Sequence, residues 1–364
     1  MTTDRQREPG MLDDRYLGAH ANACWLVGSG PSLTREMAKQ IGETPVPVMG
    51  MNLAGTGLMR PTFWTSYDPT CRFLRSVYQD AGITKFVNVR RAMDLVPETT
   101  FKVCDCPNLF FFEGERERGF ADFADRRSAR IVDWNDTMVQ ALEILIRLGF
   151  RLILLAGCEM RVRASEAQIG FVRMRGGRVD EGASLSDLMH SAKRVGISSE
   201  ELAHLNQEAI YHFDEQKRFG AAVATDAHYF RVSQYLRLSQ RALSRAGVRI
   251  ISVTPNSRLN DYFPVWSVDR VQSELNCEYG NPATEVTMGK YSLTGPRLPD
   301  LKGPMRDFLP LHWSGDGDQK QDADEKVCLE ERFDDEAEID AGYQERAEEL
   351  RRLKKAEVVI DEVG

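Results

Sequence analysis

Residues 27–33 read VGSGPSL. Gly28 and Gly30 lack a Cβ and permit a sharp turn. Pro31 fixes φ beside a helix start, and Ser29 and Ser32 set hydroxyls beside amides that the first helical turn leaves unpaired. A turn of this kind aims several N–H groups and the positive end of a helix at one point, which suits a phosphate. It lacks the third glycine of the dinucleotide fingerprint and the Gly-Lys-Ser/Thr of a P-loop, and a G-x-G turn also serves simply to join a strand to a helix. Two further polar residues close apolar runs: Asn52 ends VMGMN and Asp68 ends WTSYD. The Asn52 amide can read a base or a ribose, and Asp68 can accept from ribose hydroxyls. Both residue types also begin ordinary loops.

The apolar pattern supplies the frame that must hold these residues. ACWLV at 23–27 reads as a buried strand, and Leu33, Met37 and Ile41 space a helix over 32–41 with Ser32 as its cap. Strands follow at 46–51, 63–67 and 85–89, with a helix over 70–81 between the last two. After a loop-rich stretch, 90–127, apolar residues at 138, 141, 142, 145 and 148 predict an amphipathic helix closed by Gly149. RLILLA at 151–156 is aliphatic throughout, as a strand buried on both faces requires. A helix over 232–246, ended by Gly247, and a strand over 248–253 complete the alternation. The expected fold is α/β: a doubly wound, mostly parallel Rossmann-like sheet, with ligands received in the crevice at the carboxyl ends of its strands.

The expected organisation is an N-terminal arm (1–20), a nucleotide-binding core (21–159), an insertion (160–224), completion of the core (225–270), an extension (271–313) and an acidic tail (314–364). The insertion opens with Arg161, Arg163, Arg173, Arg175 and Arg178 and continues as polar, helical sequence from 184 to 218. Placed at the carboxyl end of a central strand, it reads equally as a lid or acceptor loop and as a solvated appendage. The tail is expected to be disordered apart from a short helix over 343–358.

The GSGPSL turn, Asn52 and Asp68 resemble the family 42 glycosyltransferases, the bacterial sialyltransferases, and the related group containing motility-accessory glycosyltransferases. Thr137, opening the helix before LGFRLILLAGCEM, resembles a hydroxyl residue of that family. Gly157-Cys158-Glu159 stands where the family has Gly-x-Asp, and ISVTPNSRLNDYF at 251–263 is similar to its late strand. The resemblance implies a nucleotide-sugar donor seated without metal on Gly28, Ser29, Gly30, Pro31 and Ser32. Asn52, Asp68, Thr137 and Glu159 would complete the nucleotide site. It also implies a histidine general base acting on the acceptor hydroxyl, for which His228 is the nearest candidate and His212 the reserve. An imidazole suits that task because its ordinary pKa of ~6.5 leaves it mostly neutral at cellular pH. His190 and His204 are expected to face water. Val232 stands at the family's base position itself, and the family's phosphate-assisting tyrosines have no counterpart just after Glu159; the insertion arginines 161, 163, 173 and 175 could neutralise that charge.

The same turn and strand ends resemble archaeal hydroxymethylpterin pyrophosphokinases. Those enzymes need Mg²⁺, for which Asp68, Asp133, Asp136 and Glu159 could supply carboxylates; Asp133 and Asp136 read more readily as caps of the helix at Thr137. A third reading is a non-catalytic module whose acidic tail recruits a basic partner.

Composition narrows the field. The chain has 364 residues, with 47 basic against 55 acidic, and 18 of the acidic residues but only 8 of the basic lie in 314–364. The body is thus nearly neutral, unlike a nucleic-acid binder. No apolar run approaches the ~18 residues of a membrane span, and the first residues carry no signal-like apolar stretch. Seven scattered cysteines do not form a disulfide framework, and the Cys104–Cys106 pair lacks a second pair at zinc spacing. The expectation is a cytoplasmic enzyme with no metal or other cofactor, acting on a nucleotide-sugar and a glycan or other hydroxyl acceptor, with self-association open.

Overall fold

A computed structural model of the chain describes residues 22–279, except 53–57, 117, 126 and 213–214. The arm over 1–20, the extension beyond 279 and the tail over 314–364 lie outside the described residues. Seven parallel strands form the main sheet: β1 (Ala23–Val27), β2 (Val48–Met51), β3 (Phe63–Thr65), β4 (Thr84–Asn88), β5 (Leu109–Phe112), β8 (Leu152–Ala156) and β11 (Arg249–Ser252). The short pairs β6 (Gly114–Glu115) with β7 (Ile131–Val132), and β9 (Glu208–His212) with β10 (Glu215–Arg218), stand apart from it. The strand order is β11-β8-β1-β2-β3-β4-β5. The chain therefore winds outward from β1 to β5 and returns to the other side at β8. This is the doubly wound α/β sheet that the alternation of apolar runs predicts. Among the described residues no helix is long and apolar enough to cross a membrane.

β1 and the last four residues of β8 are buried, because the central strands are covered on both faces. Phe63 of β3 packs between Phe86 and Phe150, with ring centroids 6.0 Å away on each side. The helix Thr137–Leu148 differs from the amphipathic expectation: all twelve of its residues are buried, polar ones included. Its polar side chains hold the stretch over 113–132 in place. Glu143 accepts from the Val132 amide at 2.5 Å and pairs with Arg118 and Arg147, and Arg147 donates to the carbonyls of Asp125, Ser128 and Arg130. An acid and two arginines thus take the place of an outer apolar layer.

Several boundaries shift. The first helix is Arg35–Gly42, capped by Thr34, whose Oγ1 accepts from Met37 N at 3.1 Å; Ser32 is not the cap. The helix predicted over 70–81 is a 3-10 turn, Thr70–Arg72, followed by one α-turn, Arg75–Gln79. β5 lies inside the stretch read as loop. The last crossover begins earlier, as a helix over Phe219–Leu238 that runs on into Gln240–Arg245. The insertion therefore ends near 218; of the stretch 184–218 read as helical, 185–194 and 199–205 are helices, and only the last part, 208–218, folds as the hairpin β9–β10. A helix Val268–Tyr279 opens what read as an irregular extension.

The insertion is a small folded body. Its helices Glu166–Met174, Leu185–Arg194 and Ser199–Leu205 each start at a serine cap with a reciprocal partner three residues on (Ser165/Gln168, Ser184/Asp187, Ser198/Glu201). They enclose a core containing Val162, Val172, Leu185, Leu188 and Leu202, which reaches Phe219 and Ala222 of the crossover helix.

Two measurements test these buried polar groups. Glu143→Ala strands two buried guanidinium groups and should lower the free energy of unfolding by about 3–5 kcal/mol in urea titrations. Lys85 is wholly buried in β4, and its Nζ donates to the carbonyls of Asp80 and Ile83 at 2.8 and 2.9 Å. Burial lowers its pKa from the ordinary 10.5 to about 8, against smaller opposing effects of Cys106 and Asp80. The unfolded chain keeps this proton up to about 10.5 while the folded chain releases it near 8, so the folded state carries a penalty below pH 8 that fades by pH 10.5. Lys85→Met removes the titration, and its stability relative to the parent should therefore fall by about 3 kcal/mol between pH 7.5 and 10.5 in parallel urea series.

Candidate active site

The winding direction of the sheet reverses between β1 and β8, and in open α/β sheets the crevice beyond the carboxyl ends of such strands receives ligands. The GSGPSL turn leaves β1 at this point. Its amides are largely committed to the protein itself: Gly28 N donates to Ala156 O at 2.8 Å, Gly30 N to Gly157 O at 2.8 Å, and Leu33 N to Gly30 O at 3.0 Å. Ser32 N donates to Glu159 Oε1 at 2.6 Å, and Pro31 has no N–H. The glycines follow from this crowding. A Cβ on Gly28 would lie 2.4 Å from the Gly157 carbonyl oxygen, and one on Gly30 would lie 1.4 Å from Glu159 Oε2. Gly157 has φ +64°, and a Cβ there would lie 2.6 Å from Gly28 O. Ser29 and Glu159 are buried, and among the described residues Ser32 Oγ and Glu159 Oε2 are buried without a hydrogen-bond partner.

Beside this turn, Asn52, Thr137 and the segment 66–68 form one hydrogen-bonded node. Asn52 sits past β2 in the left-handed region, φ 54°, which Asn tolerates better than most residues. Its backbone carbonyl accepts from Trp64 Nε1 at 2.6 Å. Its side-chain Oδ1 accepts from Ser66 Oγ at 2.7 Å and Thr137 Oγ1 at 3.2 Å, and Thr137 Oγ1 accepts in turn from Tyr67 N at 3.1 Å. Asp68 enters the node through its backbone, whose N–H donates to Ser66 Oγ at 3.0 Å; its carboxylate pairs with Arg72 at 3.1 Å. Ser66, the centre of the node, carried no sequence signal beyond its place in WTSYD.

His228 lies inside the helix Phe219–Leu238 rather than ahead of a crossover helix. Its Nε2 is 3.0 Å from Asp136 Oδ2, and both side chains are largely buried. Asp136 also caps the helix Thr137–Leu148, its Oδ1 accepting from Val139 N at 2.9 Å. The cap reading of Asp136 holds, and the same carboxylate orients an imidazole. Because a deprotonated carboxylate can only accept, the proton shared in this contact sits on Nε2. Tyr229, the next residue, went unnoticed in the sequence. Its phenol is pushed well above the ordinary range, first by burial and then by the charges of Asp136, Glu159, Asp68 and Asp226. It therefore stays a protonated donor within the electrostatic reach of those carboxylates.

The remaining candidates separate. Arg163, Arg173, Arg175 and Arg178 are exposed on the insertion, Arg173 donating to Val179 O and Arg175 lying over the Phe171 ring. Arg161, two residues past Glu159, is partly buried and its Nε has no hydrogen-bond partner among the described residues; burial and the Arg258 charge lower its pKa. His212 lies in β9, its ring 3.8 Å from that of Tyr211, while His190 and His204 are exposed. Asp133 belongs to the loop before the helix Thr137–Leu148, accepting from Asn135 N and pairing with Arg116.

No family model, curated protein or solved structure matches this chain. The case for a function therefore stands on the crevice itself. Thr137→Val keeps the side-chain shape but leaves the Tyr67 amide and the Asn52 oxygen short of a partner. It should lower the free energy of unfolding by about 1–2 kcal/mol, with helix content by circular dichroism unchanged because Asp136 still caps the helix.

Proposed function

We propose that the chain is a glycosyltransferase-like enzyme that moves a sugar from a nucleotide donor to a hydroxyl acceptor without metal. The observation that carries this reading is the His228–Asp136 pair beside the Asn52–Thr137 node, at the edge of the sheet where ligands bind. A histidine oriented by a carboxylate is the arrangement of a general base. His228 would take the acceptor proton, the acceptor oxygen would form its bond to the anomeric carbon, and the nucleotide phosphate would leave with the electron pair of the broken bond. The protonated Tyr229 phenol is suited to donate a hydrogen bond to that departing phosphate. Asn52 and Thr137 would orient the nucleoside, consistent with the resemblance of these positions to the bacterial sialyltransferases.

A second reading has its own support. Asp68, Asp136 and Glu159 all bear electrostatically on the Tyr229 phenol, and hard carboxylate oxygens are the donors that Mg²⁺ favours, although among the described residues no three ligating side chains stand together as a metal site. In a pyrophosphokinase of the hydroxymethylpterin type they would hold the cation against the phosphates of ATP.

A thermal-shift panel of nucleotides and nucleotide-sugars, run with EDTA and with Mg²⁺, separates the two. The transferase reading expects a nucleotide-sugar to raise the melting temperature equally in both buffers, whereas protection by ATP only with Mg²⁺ selects the kinase. His228→Ala should then lower transfer at least ~100-fold while leaving donor binding intact. Full activity in that variant removes His228 from the mechanism.

A further inference from the structure

We propose that Glu159 makes the glycine turn a subsite for a vicinal diol rather than for a phosphate, and so serves as the residue that selects the ribose end of the donor. This rests on the nucleotide-dependent reading above and specifies what its glycine turn recognises. Of positions 28–33, four amides are spent within the protein, Pro31 has none, and among the described residues only the Ser29 amide is left without a partner. An anion would have to displace Glu159 to reach Ser32 N, and the helix that might have lent its positive end begins only at Arg35. The glycines that suggested a phosphate are accounted for by two protein groups, the Gly157 carbonyl at Gly28 and the Glu159 carboxylate at Gly30.

What the turn does offer is an acceptor. Glu159 is 6% exposed, with Oε1 held by Ser32 N and Oε2 lacking a partner among the described residues. Buried polar atoms in folded proteins are nearly always hydrogen-bonded, and one that is not needs a functional or structural account. The hydroxyl of Ser32, buried and equally without a partner, belongs to the residue that holds the carboxylate. A carboxylate oxygen accepts only, whereas a serine hydroxyl can accept or donate. Two adjacent hydroxyls, one donating to Glu159 and the other exchanging with Ser32, satisfy both; a phosphate, which brings acceptors and negative charge, could accept from Ser32 but leaves Glu159 unsatisfied beside a like charge.

The test uses the full-length protein and compares each common ribonucleoside with its 2′,3′-dideoxy counterpart by calorimetry and thermal shift, alongside inorganic pyrophosphate and Mg²⁺ alone. A hydrogen bond to a charged acceptor predicts that one ribonucleoside binds roughly 10- to 100-fold more tightly than its dideoxy form, with no shift from pyrophosphate or Mg²⁺. Glu159→Gln keeps an oxygen for Ser32 N but replaces the second acceptor by a donor, and it should erase that ratio, as should Glu159→Ala. Equal affinity for the ribo and dideoxy forms overturns the subsite alone. So does protection of the parent protein by pyrophosphate or Mg²⁺ alone, or an undiminished ratio in Glu159→Gln. If neither nucleosides nor nucleotide-sugars bind, this inference and the nucleotide-dependent reading both fall. Diol discrimination without sugar transfer keeps the subsite and removes only the transferase.

Discussion

The close approach of the strand ends at Gly28 and Gly157 is the constraint from which the rest of the site follows. Each residue lies where a Cβ would strike the other's carbonyl oxygen, at 2.4 and 2.6 Å. The contact is fastened by the bonds from Gly28 to Ala156 and from Gly30 to Gly157. An individual backbone hydrogen bond contributes only about 1 kcal/mol net, but here the pair fixes geometry as well. Gly157 must take a left-handed conformation to clear Gly28, and Met160 is also left-handed, with φ 51°. Between these two reversals the chain brings Glu159 back against the turn. Non-glycine residues in this region are costly and cluster where a fold imposes a direction on a side chain.

The sheet was legible because its signal is local. A strand covered on both faces must be apolar throughout, and ACWLV and RLILLA leave little alternative. The 137–148 helix was legible to the residue, since Gly149 at φ 108° ends it in the conformation glycine allows. The loop-rich stretch was not, because its order comes from elsewhere: LFFF becomes β5 by pairing with β4, and 113–132 is held by Arg118, Glu143 and Arg147. The hairpin over 208–218 was missed for a related reason. Its alternation puts Ala209 and Tyr211 inward against the insertion core, and five residues of alternation beside polar helices carry little weight. At the site, polar residues ending apolar strands could be found from sequence. Which atoms they touch could not, because the partners of the Gly28, Gly30 and Ser32 amides lie more than a hundred residues away.

The insertion matters to the crevice through one buried ion pair. Asp226 is wholly buried and accepts from Val162 N at 2.6 Å and Ser186 N at 2.8 Å, and it pairs with Arg258 at 2.9 Å. Arg258 also donates to Met160 O and to Ser184 Oγ, the cap of an insertion helix. Four segments therefore meet on one carboxylate: the chain after β8 (Val162), the head of the helix Leu185–Arg194 (Ser186), the crossover helix that carries Asp226, and the turn after β11 (Arg258). Buried pairs of this kind add little net stability over apolar packing. Their consequence is positional, because every donor must be met in one arrangement.

That arrangement bears on the geometry of the crevice. Residues on an α-helix advance ~100° each, so Asp226 and His228 project about 200° apart on the same crossover helix. Anchoring Asp226 toward the insertion turns His228 the other way, toward Asp136 and the head of the helix Thr137–Leu148. Tyr229, a further ~100° round, comes within the influence of Asp68, Asp136 and Glu159. The insertion thus sets the rotation of the helix that carries His228 while standing on the face opposite that residue. The electrostatics of the crevice follow from the same placement. A second anion brought within ~4 Å of a carboxylate at position 159 meets a repulsion of about 4 kcal/mol at the effective dielectric of a protein.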